Sequence, residues 1–228
     1  LASSIDDRAK HAPRPPMRSP PGEFSAAAAA IAADGWYLLP GLLSPTQTRA
    51  LAGECRAMHE AGQLKAAGTG ANRTTSSLRG DLTGWFVAGA LSAPQQAFSD
   101  RLDQLRQALN RELMLGLVDS ESHYAVYRPG TGYGRHLDCL HGDDARVVSA
   151  VFYLNEDWRP AEGGALRLYL ADRSHRDIYP CAGDLLLFLS AQCEHEVLPA
   201  TRDRMSIACL MRQRRLDAGA DRAFRVGR

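Results

Sequence analysis

The amino-acid sequence predicts an α+β fold in which helices support a closed antiparallel β-structure of the jelly-roll type. Two observations indicate this class: amphipathic segments with helical spacing lie before residue 116, and short β-type runs separated by turns follow residue 122. The chain has 228 residues, of which 45% are hydrophobic, so it can bury one sizeable core. We therefore expect one domain over residues 22–228.

The first half contains three expected helices and one short strand. Ser44-Pro45-Thr46-Gln47 combines an N-cap, a proline at the first helical position and a glutamine that completes a capping box. Asp34-Gly35 is a typical helix C-terminus. The expected elements are a helix over 24–33, a strand over 36–39, a helix from Ser44 to about Ala61 and a helix over 92–115.

Residues 62–84 interrupt these helices with a stretch rich in Gly, Thr, Ser and Asn. Loops longer than about 12 to 15 residues are uncommon inside compact domains and are often functional. We therefore predict a mobile loop over 62–84 that acts as a lid, within a helical support region that spans 22–118.

The second half, residues 119–214, alternates β-type runs with turns and is expected to form the jelly-roll core. The expected strands cover 123–127, 133–139, 147–154, 165–170, 184–189, 195–198 and 204–211. Residues 1–21 are rich in proline, charge and small side chains, so we expect a flexible N-terminal tail there. Residues 215–228 are expected to be a basic C-terminal tail.

Composition excludes several classes of protein. Basic and acidic side chains number 27 and 26, so the net charge of +1 provides no field that would recruit nucleic acid or an anionic membrane. The five cysteines are an odd number without a CxxC pair, which disfavours a disulfide scaffold and a structural zinc site. No apolar run approaches the roughly 18 residues of a membrane span. We expect a cytoplasmic, monomeric protein with reduced thiols.

Three His-x-Asp motifs are candidates for metal binding, and their context distinguishes them. Side chains at positions i and i+2 share a face only on a strand, and His136-Leu-Asp138 lies in an expected strand. The motif at 141–143 is typical of a turn, and the motif at 175–177 is expected in a polar loop over 171–177. The first motif is therefore the candidate metal site.

His195 and Arg204 are nine residues apart in an expected strand-turn-strand hairpin, in which both side chains can border one pocket. Arg204, Ser206 and Ala208 share one face of the second strand, and an apolar face remains for the core. Two imidazoles and one carboxylate are typical of non-haem Fe(II) oxygenases, and an adjacent arginine suits a dicarboxylate co-substrate. Taken singly, His195 also fits a surface histidine and Arg204 a turn charge.

Five ordered segments closely resemble the 2-oxoglutarate- and Fe(II)-dependent prolyl 4-hydroxylases, and most nearly the oxygen-sensing branch that acts on hypoxia-inducible factor. These segments are 127–138, 153–158, 162–167, 183–188 and 195–200, followed by Arg204. The resemblance covers roughly residues 36–214 and implies a double-stranded β-helix (jelly-roll) core. The compact chain and its scattered thiols suggest a bacterial member of the family.

The resemblance implies a role for each matching residue. His136, Asp138 and His195 match the Fe(II) ligands. Arg204 and Tyr153 match the pair that grips the distal carboxylate of 2-oxoglutarate, in agreement with the fork of N–H donors that arginine offers to a carboxylate.

Further matching positions surround the expected metal site. The positions that line the co-substrate pocket are Tyr127, Val151, Leu166, Val197 and Ala208. The positions at the substrate entrance are Arg79, Asp81, Trp85 and Arg146. We expect Asp81 to form an ion pair with Arg146 there.

The implied reaction uses Fe(II), O2 and 2-oxoglutarate, which is decarboxylated to succinate, to hydroxylate C4 of a prolyl residue, with ascorbate as reductant. The implied partner is a prolyl-containing protein, for which a translation factor such as elongation factor Tu is our expectation. We expect neither a nucleic acid nor a membrane as partner.

Two alternatives remain open. One is another 2-oxoglutarate oxygenase, either a nucleic-acid dealkylase or a small-molecule hydroxylase. The basic tail has no interleaved aromatic residue apart from Phe224, which disfavours nucleic acid. The other alternative is a metal-binding sensor without catalytic activity, and the complete set of candidate ligands together with Arg204 argues against it.

Overall fold

The computed structural model describes residues 22–68, 79–139 and 145–214 of the chain. The two expected tails, the central part of the expected lid and the His-x-Asp motif at 141–143 lie outside the described residues. Among the helices of the described residues, none is both long enough and apolar enough to cross a membrane.

The helices and the first strand form where the sequence predicts them. They are α1 (Ser25–Asp34), β1 (Trp36–Leu39), α2 (Pro45–Glu60) and α3 (Ala93–Leu113), and a single 3-10 turn covers Pro160–Glu162. Helix α1 ends at Gly35, whose φ of 77° lets its N–H donate to the carbonyl of Ile31. The predicted C-terminal stop is therefore confirmed.

Both longer helices begin with a capping box. The Ser44 hydroxyl accepts a hydrogen bond from the Gln47 backbone N–H at 3.3 Å, and the Gln47 side chain accepts one from the Ser44 N–H at 3.0 Å. Ser92 and Gln95 repeat this arrangement at the start of α3. There, the Ser92 hydroxyl and the Gln95 amide also donate to the carboxylate of Glu54 on α2. The second cap therefore also connects two helices.

The other strands form two antiparallel sheets. These strands are β2 (Lys65–Ala66), β3 (Asp81–Trp85), β4 (Leu117–Tyr127), β5 (Tyr133–His136), β6 (Arg146–Tyr153), β7 (Leu166–Tyr169), β8 (His175–Ile178), β9 (Leu185–Leu189), β10 (His195–Val197) and β11 (Arg204–Gln213). A seven-stranded sheet has the order β1-β9-β6-β11-β4-β3-β2, and a four-stranded sheet has the order β5-β10-β7-β8. The predicted α+β class with a jelly-roll core is confirmed.

The seven-stranded sheet has a helix-packed face and an inner face. One set of alternating residues on β11 packs in the same hydrophobic core as Phe98, Leu102 and Leu105 of α3. This set consists of Met205, Ile207, Cys209 and Met211. Arg204 and Ala208, at the alternate positions, therefore lie on the inner face, towards the four-stranded sheet. The predicted parity of this strand is confirmed.

Two strands occupy the ends of the stretch that was expected to be a lid. Strand β2 lies at one end, and β3 pairs with β4 in a register that sets Asp81 opposite Tyr127 and Trp85 opposite His123. The prediction of a loop over the whole of 62–84 is therefore wrong at both ends. The small and polar residues there have a weak intrinsic strand preference, but pairing with β4 stabilises the extended chain.

The expected loop at 171–177 is wrong in part, because strand β8 begins at His175. This edge strand exposes His175, Arg176 and Asp177, so it lacks the alternation of polar and apolar residues that signals a strand. Its pairing with β7 is supported by an ion pair between Arg167 and Asp177, whose Nε and Oδ1 atoms are 2.8 Å apart.

The prediction that β10 and β11 form a hairpin is also wrong. Strand β10 pairs with β5 and β7, whereas β11 pairs with β4 and β6 in the other sheet. The turn after Val197 therefore carries the chain from one sheet to the other. Strand β5 ends at His136, so Asp138 follows the strand instead of lying within it.

We predict that Ser92→Ala lowers the free energy of unfolding by about 2 kcal/mol, because it removes the cap of α3 and a hydrogen bond to the Glu54 carboxylate. Ser44→Ala removes a cap that contacts no other helix and should cost about 1 kcal/mol. Urea unfolding followed by far-UV circular dichroism measures both losses. Equal losses would show that the Glu54 contact contributes nothing.

Candidate active site

Three side chains from two separate segments meet on the inner side of the four-stranded sheet. The register of β5 with β10 sets His136 opposite His195, and Asp138 follows β5. Nε2 of His136 and Nε2 of His195 lie 3.5 Å and 3.8 Å from the Asp138 carboxylate oxygens. One ligand atom from each residue lies within 4.8 Å of the others, a spacing at which the three can coordinate one metal ion.

Both imidazoles are held in the tautomer that metal binding requires. Nδ1 of His136 lies 2.8 Å from the carbonyl oxygen of Gly134, and Nδ1 of His195 lies 3.1 Å from that of Cys193. Because a carbonyl oxygen only accepts, each Nδ1 carries the proton and each Nε2 keeps its lone pair. Burial also lowers the pKa of His195, which favours the neutral ligating form.

Asp138 is held as an oriented carboxylate. The Ser149 hydroxyl donates to it at 2.6 Å and lies 2.9 Å from the Ser190 hydroxyl. Burial opposes ionisation of Asp138, but its polar neighbours His136, His195 and Ser149 outweigh burial and lower the pKa of the carboxyl group. The charged form, which binds a cation, is therefore the stable one.

Arg204 is a buried cation without an acidic partner in the described part of the chain. Its side chain is among the largest fully buried ones, with 1% of the residue exposed. Nε donates to the Gly164 carbonyl at 2.8 Å and Nη1 lies 3.4 Å from the Ser206 hydroxyl, but Nη2 has no hydrogen-bond partner. A buried guanidinium without a counter-charge is costly, which indicates a site for an anionic ligand.

Tyr153 adds a second unpaired donor beside Arg204. Its buried hydroxyl has no hydrogen-bond partner among the described residues, and its ring centroid lies 5.3 Å from the Arg204 guanidinium carbon. Burial raises the pKa of Tyr153 to about 12, so the hydroxyl keeps its proton at neutral pH. A guanidinium N–H and a phenol O–H together suit one carboxylate group.

Gly164 is required for the position of the Arg204 side chain. Its φ is 69°, and an added Cβ atom would lie 2.8 Å from the Trp158 ring and 2.9 Å from the Ala200 side chain. Glycine alone avoids both this strain and these contacts. Its carbonyl can therefore reach Nε of Arg204 and fix the direction of the guanidinium.

The metal candidates and Arg204 lie at opposite ends of one inner surface. Arg204 begins β11, while Leu210 further along the strand pairs with Ser149, which binds Asp138. The apolar surface between the metal candidates and Arg204 consists of two pairs of residues that lie opposite each other on neighbouring strands, one pair in each sheet. The structure brings together Val151 with Ala208, and Leu166 with Val197.

The residues expected at the substrate entrance form other contacts than predicted. Asp81 is 2% exposed and accepts hydrogen bonds from Nε and Nη2 of Arg79 at 2.7 Å and 3.0 Å. Arg146 instead lies 3.6 Å from the Glu121 carboxylate and donates to the Asp138 carbonyl at 3.0 Å. The expected pair of Asp81 with Arg146 is therefore wrong.

Arg79 and Tyr133 lie next to the metal-ligand candidate His136. The Arg79 guanidinium lies 5.0 Å from the Tyr133 ring centroid, and that ring stacks on His136 with 3.6 Å between centroids. Because Asp81 pairs with Arg79, the residues Asp81, Arg79, Tyr133 and His136 form one continuous series of contacts. Tyr127 lies at the other end, where its ring is 5.4 Å from the Arg204 guanidinium carbon.

Comparison with known proteins agrees with this geometry. Residues 122–212 match the family model of the 2OG-Fe(II) oxygenase superfamily. The solved structure of a Pseudomonas putida prolyl-4-hydroxylase is similar to this chain with a TM-score of 0.78 and 43% sequence identity, over 84% of this chain and 100% of that one. The chain belongs to the prolyl 4-hydroxylase family.

The chain is also similar, at lower sequence identity, to animal proteins. Human Egl nine homolog 1 is 31% identical over 163 residues, which cover 68% of this chain and 38% of that protein. The chain spans less than half the length of the curated relatives that it matches first. A Trichoplax adhaerens prolyl hydroxylase, solved with a hypoxia inducible factor peptide fragment, has a similar fold, with a TM-score of 0.74 and 24% identity over 82% of this chain and 87% of that one.

The candidate site contains two residues that the sequence did not predict. Ser149 orients Asp138, and the only local signal was a serine within an otherwise apolar run at 147–151. His123 lies on the inner face of β4, where neither ring nitrogen has a hydrogen-bond partner among the described residues. Its neighbours come from distant strands, so no local pattern identified it.

We predict that Ser149→Ala weakens Fe(II) binding by about 10- to 100-fold, because a residue that orients a metal ligand typically contributes that much to affinity. Ser190→Ala is the matched control, since Ser190 contacts Ser149 and not the carboxylate. It should change affinity by less than about threefold. Anaerobic competition with a coloured chelator measures both constants, and equal effects would contradict the orienting role of Ser149.

Proposed function

We propose that this protein is an Fe(II)- and 2-oxoglutarate-dependent dioxygenase that hydroxylates C4 of a prolyl residue in a protein substrate. One observation supports the proposal most strongly. The buried, unpaired donors of Arg204 and Tyr153 share an inner surface with a cluster of two imidazoles and one carboxylate. A dicarboxylic keto acid requires such a surface, because one end binds the metal and the other end needs a donor pair.

The metal site is proposed to hold Fe(II) through His136, Asp138 and His195. When bound, Fe(II) supplies the activation of O2 that side chains cannot provide. With only these three protein ligands, a bound ion would keep coordination positions for small ligands. In the overall reaction one oxygen atom of O2 enters the prolyl C–H bond and the other enters succinate, while 2-oxoglutarate loses CO2. Ascorbate is the proposed auxiliary reductant.

Arg204 and Tyr153 are proposed to bind the distal carboxylate of 2-oxoglutarate. This carboxylate would supply the counter-charge for the guanidinium and accept a hydrogen bond from the phenol, which satisfies both buried donors at once. Val151, Leu166, Val197 and Ala208, together with Tyr127, would surround the carbon chain and exclude water from the reacting centre.

The proposed target is a prolyl residue of a folded protein, and elongation factor Tu is the first substrate to test. The high identity to a Pseudomonas putida prolyl-4-hydroxylase supports the prolyl target. Trp85, a residue that is 42% exposed at the end of β3, offers an apolar surface for docking. A cytoplasmic monomer with one domain over residues 22–228 is part of the same proposal.

We predict that Arg204→Leu weakens 2-oxoglutarate binding by about 100-fold, because the carboxylate loses charge-assisted hydrogen bonds. Tyr153→Phe removes one neutral donor and should weaken binding by about tenfold. Pyruvate, which lacks the distal carboxylate, is the control ligand, and its affinity should not change in either variant. Anaerobic calorimetry of the Fe(II) protein measures these constants. Equal losses for both keto acids would place Arg204 outside the co-substrate site.

The activity is tested by mixing anaerobically prepared apoprotein with Fe(II), 2-oxoglutarate and O2, in the presence of either a bacterial lysate or purified elongation factor Tu. We expect succinate to form together with a mass gain of one oxygen atom on a prolyl residue, and Asp138→Ala to abolish both. Copper, nickel and zinc bind such sites more tightly than Fe(II), so the protein is freed of them beforehand. A hydroxylated nucleobase, or no oxidised product, would contradict the proposal.

A further inference from the structure

His123 is a buried imidazole whose hydrogen-bonding groups are unused within the described residues. The residue is 5% exposed, and neither Nδ1 nor Nε2 has a hydrogen-bond partner. A neutral imidazole has one N–H donor and one lone pair, and buried groups of this kind nearly always have a partner in folded proteins. His123 is therefore left to form its hydrogen bonds with a partner outside the described residues.

The position of His123 shows which part of the molecule that partner must occupy. Tyr124, the next residue on β4, packs in the helix-covered core, so His123 lies on the opposite, inner face. Its register partners are Ala208 on β11 and Trp85 on β3. The imidazole thus lies in one row of the inner surface, between the proposed co-substrate pocket at Ala208 and the exposed indole of Trp85.

The distal carboxylate of 2-oxoglutarate is not the partner of His123. That group is assigned to Arg204, which pairs with Tyr127 on β4. His123 is four residues before Tyr127 on the same strand, which separates their Cα atoms by roughly 13 Å. The imidazole therefore remains available to a different ligand on the side of Trp85.

The chemistry around His123 suits a neutral amide. Burial and the nearby Arg79 lower the pKa of His123 to about 4, so the ring is uncharged at neutral pH and holds no charge for an anion. The Trp85 ring lies 4.4 Å from the imidazole, between centroids, and provides a flat apolar wall. A prolyl peptide complements this pair, because it presents an apolar ring and two carbonyl acceptors but has no N–H at the prolyl nitrogen.

We propose that His123 is a specificity-determining residue whose ring N–H donates a hydrogen bond to a backbone carbonyl beside the target prolyl residue, while Trp85 packs against the polypeptide. This inference rests on the proposed function and identifies the residue that recognises the peptide backbone. Donation to a carbonyl selects a peptide-bound proline over the free amino acid, because free proline has no residue before it to supply a carbonyl.

Binding to a peptide library tests the proposal. The Fe(II) protein with 2-oxoglutarate is immobilised without O2, so that substrate binds but is not consumed. The probe is a library of capped nonapeptides with a central proline, and a matched library has alanine at that position. Mass spectrometry measures the ratio of retained proline peptides to retained alanine peptides. The variants are His123→Leu, which removes both polar atoms, and His123→Gln, which keeps a donor.

We expect the wild-type protein to prefer the proline library, His123→Leu to retain about tenfold less of it, and His123→Gln to remain within about threefold of wild type. Tyr124→Phe, which loses only a hydrogen bond to Glu54 on the other face of β4, is the control and should behave as wild type. The affinity for 2-oxoglutarate should be the same in all four proteins. The unfolding midpoint of His123→Leu should not fall, since the substitution removes buried polar atoms that lack partners.

Each outcome separates the inference from the proposed function. If the wild-type protein selects proline peptides and His123→Leu retains them equally well, His123 does not bind the peptide backbone and the inference is overturned. The hydroxylase proposal then still stands. If His123→Leu lowers the unfolding midpoint and His123→Gln fails to restore binding, His123 is a structural residue and the inference is overturned. If the wild-type protein does not prefer the proline library, the proposed function fails and the inference fails with it.

Discussion

The antiparallel pairing of β5 with β10 is the constraint on which the active site depends. It sets His136 opposite His195, and a backbone carbonyl two residues before each ring accepts the Nδ1–H. The aromatic rings of Tyr133 and Phe188 pack against the two imidazoles and restrict their rotation. The protein therefore positions both imidazoles when it folds, so metal binding does not have to organise them.

The proposed co-substrate pocket also needs a buried positive charge, and burying this charge destabilises the native state. Arg204 is buried on the inner face without a counter-charge in the described residues, next to a phenol that also has no partner. Such groups weaken the native state until an anion satisfies them, and a ligand that binds only the native state then stabilises it. The opposite face of the same strand packs against α3 in a continuous apolar core, which offsets this cost. Stability and ligand affinity are thus assigned to different faces of one sheet.

The sequence predicted the features that depend on local chemistry. The sequence correctly indicated the capping boxes, the glycine that ends α1 and the alternation along β11. Each of these features is determined by residues within a few positions of one another. The strand that begins at His175 was not predicted, because an edge strand exposed on both sides lacks the alternation of polar and apolar residues. The expected hairpin after Val197 failed for a different reason. A short connection between two strands looks the same whether they share a sheet or lie in facing sheets, and only packing decides between them.

The register between distant strands determines the rest of the site, and it also explains why specificity can change without the fold changing. One row across the inner face runs from Trp85 through His123 and Ala208 to Val151, and its members come from four different strands. No local motif records such a row. Each member points away from the helix-packed core, so a substitution there alters the surface that a ligand contacts without entering the packing between this sheet and the helices. Because His123 and Ala208 lie side by side, the donor for the proposed peptide and the space for the proposed co-substrate come from neighbouring positions of a single row.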